Sequence, residues 1–415
     1  MNIVVIGGGP AGLLASISAS KSKKNNVIIL EKNEKLCKKL FITGKGRCNL
    51  TNNCEHDIFF KNVVSNSKFL YSAFSEFDNN DLKKLVEDNG CLLKVERGNR
   101  VFPVSDKSYD VIDAFKKAIN KSNIHVYLNT EVESINRYDN NKFEIISNCK
   151  ENIIADKVII ATGGLSYKST GSTGDGYKFA KAFKLNVTDL TPSLVPFNIK
   201  ESDECKMMQG LTLKNVQIKI FDCDNKIIYK DFGELLFTHF GVSGPTILSA
   251  SSFVGSDEYI LSIDLKPSLD LKQLDQRLIR EFENNTKKLK NILGTLLPNS
   301  MIDVFIYRLK QLTNNDNIGE SFAYDLNKDI RKKIVELLKD FRFLITSKRG
   351  FDEAIITKGG IDVKEINPKT MESKKVKGLF FAGEVMDIDA LTGGFNIQIA
   401  ATTGFVAGEN AGYDI

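Results

Sequence analysis

Uninterrupted apolar runs that end in glycine or an acid set the framework of this chain. Ile3-Val4-Val5-Ile6 comes first, and a run without alternation suits a parallel strand covered on both faces. Gly7-x-Gly9-x-x-Gly12 follows at once. Ala11, Ala15 and Ala19 then recur every fourth residue, which predicts a helix with a small-residue face. Val27-Ile28-Ile29-Leu30 is the second run and ends in Glu31, nineteen residues past Gly12. Lys157–Ala161 ends in Thr162-Gly163-Gly164, and Gly378–Ala382 ends in Gly383-Glu384. Thr392-Gly393-Gly394-Phe395-Asn396 is a glycine turn before a helix that begins near Ile397. Ala400, Gly404, Ala407, Gly408 and Ala411 give that helix a second close-packing face.

Between these runs the pattern changes. Residues 66–121 read as helices broken by Gly90 and by Arg100-Val101-Phe102-Pro103. Short strands follow at 125–128, 132–135 and 143–146. From Pro192 the chain turns to strands, with Leu211–Phe221 alternating and Ile227–Phe237 and Tyr259–Leu265 as further β segments. Residues 268–340 are helical and charged, as in Leu271–Phe282 and Ile330–Leu338. The last 70 residues rebuild a strand–turn–helix unit like the opening one. The expected architecture is therefore α/β. A discontinuous Rossmann-like nucleotide-binding domain covers 1–190 and 344–415. Inserted in it are a β-barrel-like region (191–267 with 341–343) and a helical region (268–340).

The glycines carry the first chemistry. Gly7 permits a tight turn, Gly9 lets the backbone approach a pyrophosphate, and Gly12 lets the helix lie against the strand. The free N–H groups at the start of that helix form an anion site. Glu31 stands where an acid hydrogen-bonds a ribose hydroxyl. Thr162-Gly163 lies at the carboxyl end of a strand, where open α/β sheets place ligands. Asp175 in Gly171–Gly176 stands where it can cap the helix that follows. An NAD-only domain needs no closing strand–Gly–acid unit almost 380 residues later. A longer dinucleotide, FAD, does: Glu384 can bond its sugar-like chain, and N–H groups at Gly394–Ile397 can face the pyrimidine edge of a reduced flavin. The loop Thr43-Gly44-Lys45-Gly46-Arg47-Cys48-Asn49 suits either a polar ligand or a surface turn, and it lacks P-loop spacing.

Composition narrows the classes. With 42% hydrophobic and 26% charged residues the 415-residue chain looks like an ordinary soluble protein of two or three domains. The net charge of +5 is spread among acids, with no basic run, so no nucleic-acid partner is expected. No stretch approaches the roughly 20 apolar residues of a membrane span. Seven irregularly spaced cysteines and three scattered histidines suggest neither a disulfide framework nor a zinc site. A reducing cytoplasm is the expected location, and the oligomeric state stays open.

Five motifs, GGGPAG, GKGRCNLTN, ATGG with GSTGDGY, LFTHFGVSGP ending at Pro245, and GLFFAGEVMDIDALTGGFNIQ, occur in this order over the whole chain. In these motifs the sequence resembles the BaiN-like bacterial flavoproteins, a family with aminoacetone-oxidase-like and bile-acid-4,6-reductase-like members. The resemblance implies FAD in a two-dinucleotide-binding domain, with the insertion covering the isoalloxazine. It implies Gly7, Gly9, Pro10, Ala11 and Gly12 around the pyrophosphate, Glu31 with Lys32 at the adenosine ribose, and Val132 by the adenine. Lys45, Gly46, Arg47 and Asn49 would pass beside the flavin. Gly383 and Glu384 would meet the ribityl and phosphate side, and Gly394, Asn396 and Ile397 the pyrimidine edge.

For catalysis, His239 has an imidazole that can move a substrate proton if it faces the flavin; it suits a packed turn equally. Arg47 can stabilise an anionic reduced flavin or a substrate carbonyl, or make a salt bridge. Cys48 has no CxxC partner and reads as packing. The expected function is an FAD-dependent oxidoreductase of a small organic substrate. NADH or NADPH would act as a transient donor to an enone-like acceptor, because no second GxGxxG is visible. A flavin oxidase of a small amine or ketone, and a flavoprotein that modifies or binds RNA, are the alternatives. On this reading His239→Ala and Arg47→Ala each slow turnover while FAD stays bound, which steady-state kinetics on flavin-loaded variants check.

Overall fold

Four of the apolar runs become neighbours in one parallel sheet of the computed structural model, which describes residues 1–138, 142–149, 151–283 and 285–413. Its strands are β1 (Asn2–Ile6), β2 (Asn26–Leu30), β3 (Ile124–Tyr127), β4 (Lys157–Ile160) and β5 (Leu379–Phe381). Their spatial order is β5-β4-β1-β2-β3, and all pairs are parallel, with Val5 opposite both Ile29 and Ile159. Ile3, Val4 and Val5 are fully buried, as a central strand covered on both faces requires. The chain leaves β1 toward β2 and β3, then returns to the other side for β4. That reversal opens a crevice at the carboxyl ends of β1 and β4.

Helices α1 (Pro10–Ala19) and α4 (Phe395–Ala411) pack against each other through the two small-residue faces. The approach leaves no space for a methyl group. A Cβ at Gly404 would lie 2.2 Å from the Ala11 carbonyl oxygen, and one at Gly408 only 1.9 Å from that of Ala15. The Ser18 hydroxyl donates to the Phe405 carbonyl at 2.6 Å. Helices α2 (Lys38–Ile42) and α3 (Asp175–Ala182) flank the crevice region.

Residues 66–121 depart from expectation. Helices form at Tyr71–Glu76, Asn79–Asp88 and Ser108–Asn120, but Leu93–Glu96 and Arg100–Pro103 pair as an antiparallel hairpin, joined by Thr51–Asn52. Its loop is Arg97-Gly98-Asn99, where Gly98 (φ +77°) and Asn99 (φ +57°) adopt the left-handed backbone those residues tolerate.

The contact pattern divides the chain into residues 1–193 with 351–415, and residues 194–350. The second unit holds a closed barrel in the order Phe197–Ile199, Gly241–Ser243, Ile227–Thr238, Thr212–Phe221, Tyr259–Asp264, Phe341–Lys348. It also carries helices Leu271–Phe282, Asn299–Thr313 and Lys328–Lys339. Two boundaries differ from those read in the sequence. Residues 344–350 belong with the barrel, because Phe341–Lys348 alternates inward and outward and closes it against Tyr259–Asp264 and Phe197–Ile199. Residues 191–193 belong to the first unit, where they pair with Ile356–Lys358. Among the described residues no helix is long and apolar enough to cross a membrane. All seven cysteines are free thiols.

Replacing Gly408 by Ala should destabilise the protein by about 2–3 kcal/mol through overpacking, although Ala alone favours a helix by about 1 kcal/mol. Urea unfolding of the variant beside wild type measures it.

Candidate nucleotide-binding cleft

Every strand of the parallel sheet sends its carboxyl end to the same place. An open cleft of about 900 Å3, counting the solvent at its mouth, is lined after β1 by Gly7–Ala11 and after β2 by Glu31, Lys32 and Asn33. Thr130–Val132 follow β3, Ala161–Gly163 follow β4, and Ala382 and Glu384 follow β5. Lys38, Lys39 and Leu40 of α2 and Thr170–Ser172 complete the wall.

The glycines position these ends. Gly7 turns with φ +107°, and a Cβ there would lie 2.5 Å from the Ala161 carbonyl oxygen, so β1 and β4 meet without a side chain between them. A Cβ at Gly12 would lie 1.9 Å from the Gly7 carbonyl oxygen; Gly12 closes the helix onto the turn and does not line the cleft. A Cβ at Gly9 would meet no protein atom within 4 Å. The Thr162 Oγ1 is buried in the cleft wall with no protein partner. An open glycine at the N-terminus of α1, with an unpartnered hydroxyl in the same cleft wall, suits an anionic ligand with further polar groups.

The charged side chains are already tethered. Glu31 is buried; its Oε2 accepts the Gly8 N–H at 2.7 Å, and its Oε1 accepts the Asn33 N–H at 2.8 Å and Asn33 Nδ2 at 2.6 Å. Three of roughly four acceptor sites are thus used, which leaves one toward a ligand hydroxyl. Glu384 takes Lys39 Nζ on Oε2 at 2.7 Å and the Thr357 N–H on Oε1 at 2.8 Å. Lys32 Nζ donates to Asp175 Oδ2 at 2.6 Å and also to the Thr173 hydroxyl. Asp175 therefore does not cap α3. It is the helix's first residue, after Gly174 with φ +84°, and its carboxylate serves Lys32. Burial acts to raise the Asp175 pKa, but the hydrogen bonds from Lys32 and Thr173 outweigh it and leave the group below its ordinary value.

Of the residues singled out by sequence, Gly7, Gly9, Pro10, Ala11, Glu31, Lys32, Val132, Thr162, Gly163 and Glu384 line the cleft. Gly383 sits behind it, with φ +78° and Ala11 Cβ 2.8 Å from its would-be Cβ. Lys45, Gly46, Arg47, Asn49, Gly394, Asn396 and Ile397 lie outside the lining, on two segments that meet each other. A Cβ at Gly394 would lie 2.5 Å from the Thr51 carbonyl, and Asn52 Nδ2 donates to the Gly393 carbonyl at 3.1 Å. Asn396 clasps Ala390, accepting its N–H at 2.9 Å and donating to its carbonyl at 2.7 Å. Asn49 Oδ1 is buried with no protein partner. Arg47 makes ion pairs to Glu96 and Asp106, both at 2.5 Å, with its guanidinium 4.2 Å from the centre of the Phe102 ring. His239 is an exposed residue of the barrel turn between Thr238 and Gly241, its ring set edgewise to Phe240. Burial pushes the Cys48 thiol up to about 12.

Lys39 and Asn33 escaped the sequence reading, and Asp175 was read as a helix cap rather than as the partner of Lys32. Lys39 had only an adjacent lysine as local signal, and its partner lies 345 residues away.

A parallel sheet with a glycine-rich first turn, a helix N-terminus and an acid at the second strand end defines a Rossmann-type nucleotide-binding protein. The chain belongs to the HI0933-like family, whose HI0933-like protein Rossmann domain matches residues 1–410. It is 30% identical over 409 residues to the ribosomal RNA dihydrouridine synthase of Escherichia coli (strain K12), covering 98% of this chain and 97% of that one. It is 28% identical over 426 residues to the 3-dehydro-bile acid delta(4,6)-reductase of Clostridium scindens, with 99% and 98% covered. A solved 3-ketosteroid-delta4-(5alpha)-dehydrogenase from Rhodococcus jostii RHA1 aligns with 99% of this chain and 96% of its own, at 13% identity and TM-score 0.49.

The Lys32–Asp175 pair is about four-fifths buried. Asp175→Asn should cost about 1–2 kcal/mol at neutral pH. Because the native pKa is lowered, the wild-type advantage is full above the unfolded value of about 3.9 and vanishes as pH falls through the native one. Urea unfolding of both proteins from about pH 7 down to about pH 3 checks it.

Proposed function

We propose that this protein is an FAD-dependent oxidoreductase that reduces a carbon–carbon double bond conjugated to a carbonyl. The observation that carries the proposal is the convergence of all five strand ends on one cleft, with the first glycine turn at one part and Glu384 at another. That provides for a dinucleotide with polar groups in both halves, and the open Gly9 and unpartnered Thr162 hydroxyl fit such a ligand.

FAD, when bound, supplies the hydride chemistry. Gly9, Pro10, Ala11 and the start of α1 hold its pyrophosphate. Glu31 keeps one acceptor site for the adenosine ribose, with Lys32 beside it, and Val132 offers an apolar wall to the adenine. Lys39 and Glu384 present a charge pair to the ribityl and phosphate side. Gly394, Asn396 and Ile397 serve the pyrimidine edge, and the loop 45–49 the ring. Arg47, held by Glu96 and Asp106, positions that loop. Proton transfer is the role assigned to His239, a residue of the barrel unit.

The names of two full-length relatives support the reaction class. Uridine and a 3-oxo bile acid unsaturated at carbons 4 and 6 share one reacting unit, an alkene conjugated to a carbonyl. The first reading of the substrate is a small enone, with NADH or NADPH as donor. The second is a uracil base in ribosomal RNA, favoured by the 30% identity to the Escherichia coli enzyme. A reducing cytoplasm suits the seven free cysteines.

Protein purified without added cofactor should be yellow and should bleach anaerobically with NADH or NADPH. Its colour should return on adding an enone steroid or, on the second reading, a ribosomal RNA transcript that gains dihydrouridine. A colourless protein that takes up no FAD overturns the proposal; a yellow one that neither nucleotide bleaches removes the nicotinamide donor.

A further inference from the structure

We infer that the face built from the 93–103 hairpin, the loop 43–47 and the turn 105–109 docks a single-stranded RNA segment. The inference rests on the RNA reading above.

The three segments form one surface. A Cβ at Gly44 would lie 3.6 Å from the Phe102 ring, and the Arg47 guanidinium stacks over that ring. Ser108 Oγ donates to the Phe41 carbonyl at 2.8 Å, tying the turn to the end of α2. Lys94 Nζ bonds Asp106 Oδ2 at 2.8 Å, tying the hairpin to the turn.

The surface is basic once its internal pairs are removed. It carries six cations, Lys45, Arg47, Lys94, Arg97, Arg100 and Lys107, against the carboxylates of Glu96 and Asp106. Arg47 and Lys94 occupy both carboxylates. Lys45, Arg97, Arg100 and Lys107 are exposed and make no ion pair among the described contacts. Arg97 and Arg100 flank the hairpin loop, and Arg100 Nε donates to the Arg97 carbonyl at 3.0 Å, which holds the two cations together.

Aromatic surface lies beside the charge. Phe41 and Tyr109 are each about half exposed, in segments joined by the Ser108 bond. Unpaired cations that track phosphates, next to exposed rings on which bases stack, are how proteins hold single strands. A small enone uses neither feature. Helix α2 carries Lys38, Lys39 and Leu40 into the cleft wall and exposes Phe41 and Ile42 at its end, so the docking face continues from the wall of the nucleotide cleft.

The test is fluorescence anisotropy of a labelled single-stranded RNA oligonucleotide with the flavin-loaded protein across a salt series. Wild type should bind with log K falling linearly in log salt concentration. The double variant Arg97→Gln/Arg100→Gln should bind about tenfold or more weakly at low salt, with a salt slope smaller by about two. Arg97→Lys/Arg100→Lys should restore both. Yellow colour and bleaching by nicotinamide nucleotide should stay as in wild type in every variant, which separates this inference from the proposed reaction. Absence of RNA binding by wild type at low salt, or equal affinity and slope in the Gln variant, overturns it.

Discussion

The fold hangs on a contact in which side chains are nearly absent. Helices α1 and α4 meet at Ala11, Ala15 and Ala19 on one side and Gly404, Gly408 and Gly412 on the other, close enough that backbone carbonyls touch the opposite helix. Only that proximity lets α4 lie beside α1, which Gly12 presses against the turn after β1. The position of the α1 N-terminus, and with it the anion-binding part of the cleft, follows. So does the turn at Gly383, whose N–H is held by Thr403 of α4 at 2.9 Å. A larger residue at any of these points would move the two walls of the cleft apart.

The charges around the cleft follow a similar economy. Glu31, Glu384 and Asp175 each hold protein donors, so none stands as a bare buried anion. An unpaired carboxylate there would be costly and would repel a pyrophosphate. Pairing two of them with Lys39 and Lys32 leaves the wall polar and close to neutral, with the N-terminal end of α1 as the unopposed positive element.

What could be read from the sequence is what local rules write. The buried strands announced themselves as apolar runs, and the glycine turns by spacing, so the parallel sheet and much of the cleft lining were legible. Lys39 with Glu384, and Lys32 with Asp175, were not, since an ion pair between residues more than a hundred positions apart leaves no periodicity. The hairpin at 93–103 was hidden by the shortness of its strands, four residues each, the second of which reads as a break between helices, although Gly98-Asn99 marked its loop. The barrel edge was misplaced for a related reason: Phe341–Lys348 looks like any strand, and only its partners decide which unit owns it. The basic face escaped because its cations come from three segments, the first about fifty residues before the others, none of which is a basic run.

The pairing of α1 with α4 also sets an order of assembly. Synthesis reaches Gly404 almost four hundred residues after Ala11. At ~5–20 residues per second the small-residue face of α1 waits roughly 20–80 seconds for its cover. Until then β5 and the Gly383–Glu384 wall are missing as well, so the growing chain holds half of a cleft. The barrel unit, contiguous from 194 to 350, emerges complete before the last strand and helix of the other unit are made. Cofactor loading thus falls to the finished polypeptide, and a chain broken off short of α4 exposes the apolar face of α1 to chaperones and proteases.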